Sequence, residues 1–274
     1  MNTFREFEHA GWEDPAVCSA YRERLGDVVA QVIGPLLAVA RVGPADRVLD
    51  VATGAGVVAA AAAQRGAAVV GVDFSDEQLQ RARADHPGIT FERGDAEALP
   101  FGPASFDVVV SSFGVPHFSD PEAFIRESLR VLRPTGRFAF SVWAQPDRAK
   151  AFGAVFGALA NHGSMDVGLP PGPNFFRYAD PDTATGSLTA AGFAEVSAMV
   201  VPQTWTLPTA DDLFDSLLRG TVRTAAVLRR QPSGVLARVR DSFRADMAAY
   251  VEGDSVRVPM AAVVVRGTKP ASSP

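Results

Sequence analysis

Residues 50–56, Asp50-Val51-Ala52-Thr53-Gly54-Ala55-Gly56, have the spacing of a nucleotide-holding loop. Small residues at 52, 54 and 56 let a ligand approach the main chain. The apolar run that follows reads as a helix whose first turn presents unpaired amides and a positive dipole end. Two kinds of loop share this character. A dinucleotide fingerprint needs glycine at 52, 54 and 57, where the chain has Ala52, Gly54 and Val57. The pattern acidic-x-G-x-G-x-G is met at Asp50, Gly54 and Gly56, with Ala52 in the first glycine's place, and fits better. Asp73 closes the next apolar run 17 residues beyond Gly56, where a carboxylate accepts from both hydroxyls of a ribose. Phe74 beside it can pack on an adenine face. Asp95 and Ala96, after the third run, can accept from an adenine amino group and donate a main-chain amide to a ring nitrogen. The three elements describe an adenosine pocket.

A second group lies in SSFGVPHFSD, residues 111–120, at the carboxyl end of an expected strand, where open α/β sheets bind substrate. A neutral His117 imidazole could take a proton from a hydroxyl or carbon acid; it could equally hydrogen-bond the loop and shape a pocket. Phe152, Phe156, Phe175, Phe176, Tyr178 and Trp205 crowd the region after the fifth strand and read either as an apolar pocket lining or as core. Trp12 and Tyr21 on the leading segment can be packing residues. Cys18 reads as a small buried hydrophobe, His9, His86 and His162 as solvated or capping residues, and the basic stretch 219–230 as a solvated helix face rather than a phosphate site.

The elements that must position these residues alternate. Helical periodicity covers 14–42, with Asp14 capping Pro15 and a break expected at Gly34-Pro35. Strands are expected at 47–51, 67–73, 89–93, 106–111 and 137–142, with helices at 57–65, 76–84 and 121–132 between them. That alternation implies a parallel, doubly wound α/β sheet. After Trp143 the pattern loosens into a Pro/Gly-rich stretch at 168–173, read as loop or lid rather than a second sheet. Helix end, turn and strand follow at 191–201, helices over 210–250, and a final apolar strand at 257–266. The expected organisation is a helical cap at 1–43, a cofactor-binding core at 44–143, a lid insertion plus the last two core strands at 144–267, and a disordered tail at 268–274.

The whole-chain balance narrows the partners. With 274 residues, 47% hydrophobic and 21% charged, the chain can build a sizeable core. A net charge of −5 gives no basic field for nucleic acid or an anionic membrane, so the expected partner is a small molecule. No run approaches the roughly 20 apolar residues of a membrane span, and the first residues lack the apolar centre of a signal peptide. A cytoplasmic location and no membrane insertion are the expectation. One cysteine and four scattered histidines make neither a disulfide framework nor a metal site.

Five segments in this order resemble the class I S-adenosylmethionine-dependent methyltransferases, and more narrowly the ubiquinone- and menaquinone-biosynthesis-like (type 11) subgroup with its natural-product methyltransferases: VLDVATGAG (48–56), GVDFSDEQL (71–79), GDAEALPF (94–101), SFDVVVSSF (105–113) and LRVLRPTGRFAFSVW (129–143). The resemblance implies a Rossmann-like, seven-stranded, mostly parallel sheet with a reversed last strand and a helical lid, and S-adenosylmethionine as cofactor. It assigns Asp50 to the cofactor's amino group. Main-chain atoms near Ala52, Gly54 and Gly56 take its amino-acid part; Asp73 and Gln78 take the ribose side; Phe74, Asp95 and Ala96 take the adenine. Ser111 and Ser112 line the methionine portion, and Tyr21 on a covering segment bonds its carboxylate. His117 takes the catalytic position that some relatives use as a base. The implied reaction is methyl transfer to O, C or N of a hydrophobic small molecule, such as a terpenoid, quinone or polyketide-like secondary metabolite. A methyltransferase-like protein that keeps the cofactor as a scaffold for cyclisation or ligand binding is the alternative. A nicotinamide oxidoreductase is disfavoured by Val57 and by the adenine element at Asp95. An apolar lid is also compatible with exchange of the leading helix between subunits, and so with a homo-oligomer.

Overall fold

The computed structural model describes residues 3–271. Helices α1 (Phe4–Trp12), α2 (Pro15–Ala30) and α3 (Ile33–Val39) lead into β1 (Arg47–Val51), α4 (Val57–Gln64), β2 (Ala68–Asp73), α5 (Asp76–Asp85), β3 (Thr90–Arg93) and β4 (Phe106–Ser112). Then come α6 (Pro121–Val131), β5 (Leu132–Trp143), α7 (Lys150–His162), α8 (Pro181–Ala191), β6 (Ala194–Val201), β7 (Thr204–Leu207), α9 (Ala210–Gly220), α10 (Arg223–Arg229), α11 (Ser233–Met247), β8 (Val251–Glu252), β9 (Ser255–Pro259) and β10 (Ala262–Thr268). The chain divides into two compact units. A sheet unit takes Ala30–Trp143, Gly172–Val201 and the stretch from Ala262 onward; a second unit takes the leading segment to Val29, Ala144–Pro171 and Pro202–Ala261.

The sheet unit is a seven-stranded sheet in the order β3-β2-β1-β4-β5-β10-β6. The pairings β1–β2, β1–β4, β2–β3 and β4–β5 are parallel, and β10 runs antiparallel to both β5 and β6. Its central strands β1, β4, β5 and β10 carry apolar runs buried on both faces: Val48, Leu49, Val108, Val109, Val110, Phe138, Phe140 and Val263 are all at most 1% exposed. The helix starts are set by side chains. Ser75 accepts from the Gln78 amide at the head of α5, and Asp120 accepts from Ala123 ahead of Pro121 in α6. Ala59, Leu79, Ala82 and Phe91 pack α4, α5 and β3 together.

In the second unit, β7, β9 and β8 form a three-stranded antiparallel sheet. Trp205, 1% exposed, donates its indole N–H to the Arg24 carbonyl at 3.0 Å, and Gln203 Nε2 donates to Val28 O at 2.6 Å. Both tie this sheet to α2. Arg240 and Arg244 on α11 pair with Asp211 and Asp215 on α9.

Several expectations change. The helical break falls at residues 31–32, before Gly34-Pro35, because Pro35 occupies the first turn of α3, where no N–H is needed. The 257–266 strand is two strands: the Met260 amide donates to Gln203 O and the Ala144 amide to Ala261 O, so the chain changes sheets there. A second sheet does exist, built from strands of two to five residues. Residues 30–43 go with the sheet rather than a cap, since Ile33, Leu36 and Leu37 are buried and α3 packs on β4 and β5. The disordered tail expected from 268 is ordered at its first residues: Thr268 ends β10, and Lys269 exchanges main-chain bonds with Thr135 and Gly136. Residues 272–274 lie outside the described residues.

Candidate functional site

The strand order reverses direction between β2-β1 and β4-β5, so the carboxyl ends of β1 and β4 flank the topological switch point where open α/β sheets bind ligands. β1 delivers Asp50 there. The Asp50 carboxylate is 1% exposed; its Oδ2 accepts from Thr53 Oγ1 at 2.6 Å and from the Ala59 amide at 3.0 Å, while Oδ1 has no partner. Burial, with the neighbouring Asp73 charge adding, pushes the Asp50 pKa up to about 7 against the lowering bonds from Thr53 and Ala59. A buried carboxylate oxygen without a donor is costly, and an ammonium group or a water held by one would satisfy it. The loop that follows is shaped for close approach: Ala52, Gly54 and Gly56 take positive φ of 54°, 54° and 81°. A Cβ on Gly56 would sit 2.7 Å from the Phe91 ring, so glycine is required there by space, whereas one on Gly54 would meet only the Gln78 side chain, at 3.9 Å, and there the positive φ is what favours glycine.

β2 delivers Asp73, which is 7% exposed. Its Oδ2 accepts from the Gly54 amide at 2.8 Å and its Oδ1 from the Ser75 amide at 3.0 Å; two such bonds orient a group with about four acceptor sites. Phe74 is half-buried, and its carbonyl accepts from Arg93 Nε at 3.1 Å. Gln78 is buried in the first turn of α5. Asp95 and Ala96, both half-buried, lie just after β3; Asp95 Oδ1 accepts from the Glu97 amide at 2.8 Å, and Gly94 N–H donates to Asp73 O at 2.9 Å. The strand ends thus bring Asp50, Ala52, Gly54, Gly56, Asp73, Phe74, Gln78, Asp95 and Ala96 to one edge of the sheet.

β4 delivers Ser111 and Ser112. Ser111 is fully buried with its Oγ unpartnered, and Ser112 Oγ lies 3.0 Å from Ser141 Oγ. Val115–His117 is a single 3₁₀ turn in which the His117 amide donates to Gly114 O at 2.9 Å. The His117 ring is half-buried and meets Phe175 edge-on, centroids 6.0 Å apart. Tyr21 belongs to the second unit, edge-on to Trp12 at 5.3 Å, with burial raising the pKa of its hydroxyl.

The crowded aromatics do not form one lining. Phe152 and Phe156 stack within α7, Trp205 sits in the three-stranded sheet, and Phe175 and Phe176 contact each other. Tyr178 packs on Phe140 and donates its hydroxyl to Glu122 Oε1 at 3.1 Å. In the basic stretch, Arg223 and Arg230 donate to the carbonyls of Pro170 and Val167 at 3.0 Å each, so they pin the Pro/Gly-rich loop rather than face solvent alone. Cys18 is buried, its Sγ donating to Trp12 O.

Three further side chains support the site. Thr53, three residues after Asp50, fixes that carboxylate. Glu97 Oε1 accepts from the Ser119 amide at 2.7 Å, joining the Asp95 loop to the His117 loop. Arg130 donates to Phe101 O at 2.7 Å and Leu99 O at 3.0 Å while paired with Glu127, whose Oε2 accepts from the Leu99 amide. Only the Thr53 spacing, a hydroxyl three residues from a carboxylate in a turn, carried a local signal.

Known proteins bear on this geometry. Residues 49–140 match the methyltransferase domain family. The chain is 33% identical over 263 residues to an uncharacterized protein of Mycobacterium tuberculosis, covering 89% of this chain and 92% of that one. It is 40% identical over 114 residues to a demethylmenaquinone methyltransferase of Beutenbergia cavernae, covering 42% and 47%. Among solved structures, Haemonchus contortus phosphoethanolamine N-methyltransferase 2, in complex with phosphomonomethylethanolamine and S-adenosylhomocysteine, matches 98% of this chain and 61% of that one at 18% identity and a TM-score of 0.59. The orphaned Asp50 oxygen, the glycine cradle and the oriented Asp73 carboxylate fit S-adenosylmethionine. The chain shares a family with the mycobacterial protein and belongs to the class I S-adenosylmethionine-dependent methyltransferases.

Proposed function

We propose that this chain methylates O, C or N of a hydrophobic small molecule of quinone, terpenoid or polyketide-like type. The cofactor half rests on the buried Asp50 oxygen, which lacks a donor at the head of a glycine cradle. S-adenosylmethionine supplies a sulfonium methyl, whose carbon–sulfur bond breaks as the acceptor's bond forms, the electron pair going to sulfur. The protein's main task is to hold the acceptor in line. Asp50 takes the cofactor's amino group, Asp73 and Gln78 the ribose side, Phe74, Asp95 and Ala96 the adenine, and Ser111 and Ser112 the methionine portion.

The acceptor half rests on the surroundings of His117. Phe175 meets its ring, and Val115, Pro116 and Phe118 on the same loop are buried, a setting that favours an apolar acceptor. Demethylmenaquinone methyltransferases, which match the cofactor-binding stretch of this chain, act on such a molecule. His117 takes the acceptor's proton as the new bond forms. The test uses methyl-labelled S-adenosylmethionine with a panel of hydroxyquinones and hydroxylated terpenoids. Label should pass into the organic extract, and His117→Ala should lower kcat about 10²-fold or more while S-adenosylhomocysteine still binds. Labelling only of polar acceptors, or unchanged kcat across pH in His117→Ala, would overturn the respective half.

A further inference from the structure

Two non-glycine residues at the switch point hold backbone conformations that side chains disfavour: Ala52 at φ 54° after β1, and Phe113 at φ 55° after β4. Strain of this kind persists where the surroundings impose it, and its location points to a use. Glycine would relieve the strain at 52, yet the chain carries a methyl there. The Ala52 methyl lies against Gly114: a Cβ built on Gly114 would come within 2.6 Å of Ala52 Cβ, 2.9 Å of Ser111 Oγ and 3.4 Å of Phe118 Cζ. Gly114 itself has φ −77° and ψ −37°, which any residue adopts. Space, not backbone conformation, keeps position 114 a glycine.

The Gly114 side of this contact is stiff. The Phe113 amide donates to Ser141 O at 3.0 Å and to Ser141 Oγ at 3.3 Å, and the Phe113 ring stacks on Trp143 at 4.3 Å and 28°. On the far side, Gly114 O accepts the His117 amide and so founds the turn that carries the imidazole. Ala52 is equally fixed, between the buried Val51 and Thr53, whose amide donates to Val72 O. A displacement at the Ala52–Gly114 contact therefore reaches the cofactor loop on one side and His117 on the other.

We propose that the Ala52 methyl and the bare Cα of Gly114 are a matched pair that sets the spacing between the cofactor loop and the His117 loop. Ala52 and Gly114 are then positioning residues for methyl transfer. This rests on the reading of the site as an S-adenosylmethionine pocket. Two methyls do not fit between the two loops; a methyl on residue 114 with none on residue 52 still meets Ser111 Oγ at 2.9 Å, a contact that rotation of that unpartnered hydroxyl relieves.

The test is a double-mutant cycle on Ala52→Gly, Gly114→Ala and their combination, read as the S-adenosylhomocysteine Kd by calorimetry beside the melting temperature. Gly114→Ala should weaken binding at least ten-fold, because two methyls force the loops apart. Adding Ala52→Gly should restore the Kd to within about three-fold of the parent, since one methyl again occupies the gap. A double variant no tighter than the sum of the single effects overturns the matched pair, as does a cycle that moves melting temperature but not Kd. If Gly114→Ala does not fold, the double variant alone carries the comparison: a folded protein whose S-adenosylhomocysteine Kd lies within about three-fold of the parent supports the pair, and one that does not fold or binds about ten-fold more weakly refutes it. A parent protein that binds no S-adenosylhomocysteine refutes instead the cofactor reading beneath it.

Discussion

The two units of the chain treat polar groups and backbone strain differently. Every described non-glycine residue at positive φ, namely Arg41, Ala52, Ala104, Phe113, Thr135 and Glu195, falls in the sheet unit, as do three of the four buried side-chain atoms without a partner, on Asp50, Ser111 and Ser128. In the second unit the described positive-φ residues are Gly168 and Gly253, and Gln203 Oε1 is the one such orphan. Its sheet and helices are tied by side-chain hydrogen bonds and ion pairs. The contrast teaches where stability gives way to function. Ala52, Phe113, Asp50 and Ser111 all sit at the carboxyl ends of β1 and β4, where a ligand can complete them.

The largest effect expected on that contrast comes from Asp50→Asn. An amide can keep the acceptor role toward Thr53 and Ala59 but turns a donor toward the unpartnered position. S-adenosylhomocysteine affinity should fall about 10–100-fold, as for loss of a charged hydrogen bond, in a calorimetric titration. The same variant should gain stability in alkali. With the folded pKa raised to about 7 from an ordinary carboxylate value, the native state binds the extra proton. Asp50 therefore subtracts stability progressively as pH rises toward 7 and by a constant amount above it, of the order of 4 kcal/mol. A melting curve for Asp50→Asn that fails to rise relative to the parent between pH 5 and 8 would break the claim that the site trades stability for binding.

Arg130→Ala should come next. It removes two bonds to the carbonyls of Leu99 and Phe101 and leaves Glu127 with only the Leu99 amide, a loss of about 2 kcal/mol for this half-buried cluster, seen as a lower urea midpoint. Pairing with Arg130 holds the Glu127 carboxyl below its usual range, so this contribution is present at neutral pH and is lost as pH falls through the lowered value. In the second unit, Trp205→Phe deletes the bond to Arg24 O and should cost about 1 kcal/mol while leaving the S-adenosylhomocysteine Kd within about two-fold; a ten-fold change would erase the distinction between the units. Arg244→Ala, on an exposed pair with Asp211, should shift the urea midpoint least of these variants, and less again in high salt.

Much of the sheet unit was legible because its central strands are runs of Val, Leu and Phe punctuated by Asp50, Asp73 and Asp95, and because Gly66, Pro121 and Gly192 mark helix ends where the structure has them. The second sheet was not. Strands of two to five residues leave no periodic trace, and β9 and β10 read as one because the apolar run Val258 to Val265 hides the change of sheet at Met260. Within the site the residue types were legible, but their mutual contacts were not: the Glu97 bond to Ser119 and the Ala52 contact with Gly114 join positions 22 and 62 residues apart, beyond any local pattern.

The most direct test of the account is calorimetric titration of the purified protein with S-adenosylhomocysteine, with Asp73→Ala and Asp95→Ala alongside. One site of micromolar affinity is expected, weakened at least ten-fold in each variant. Binding of equal strength in all three proteins, or tight binding of NAD with none of S-adenosylhomocysteine, would contradict it.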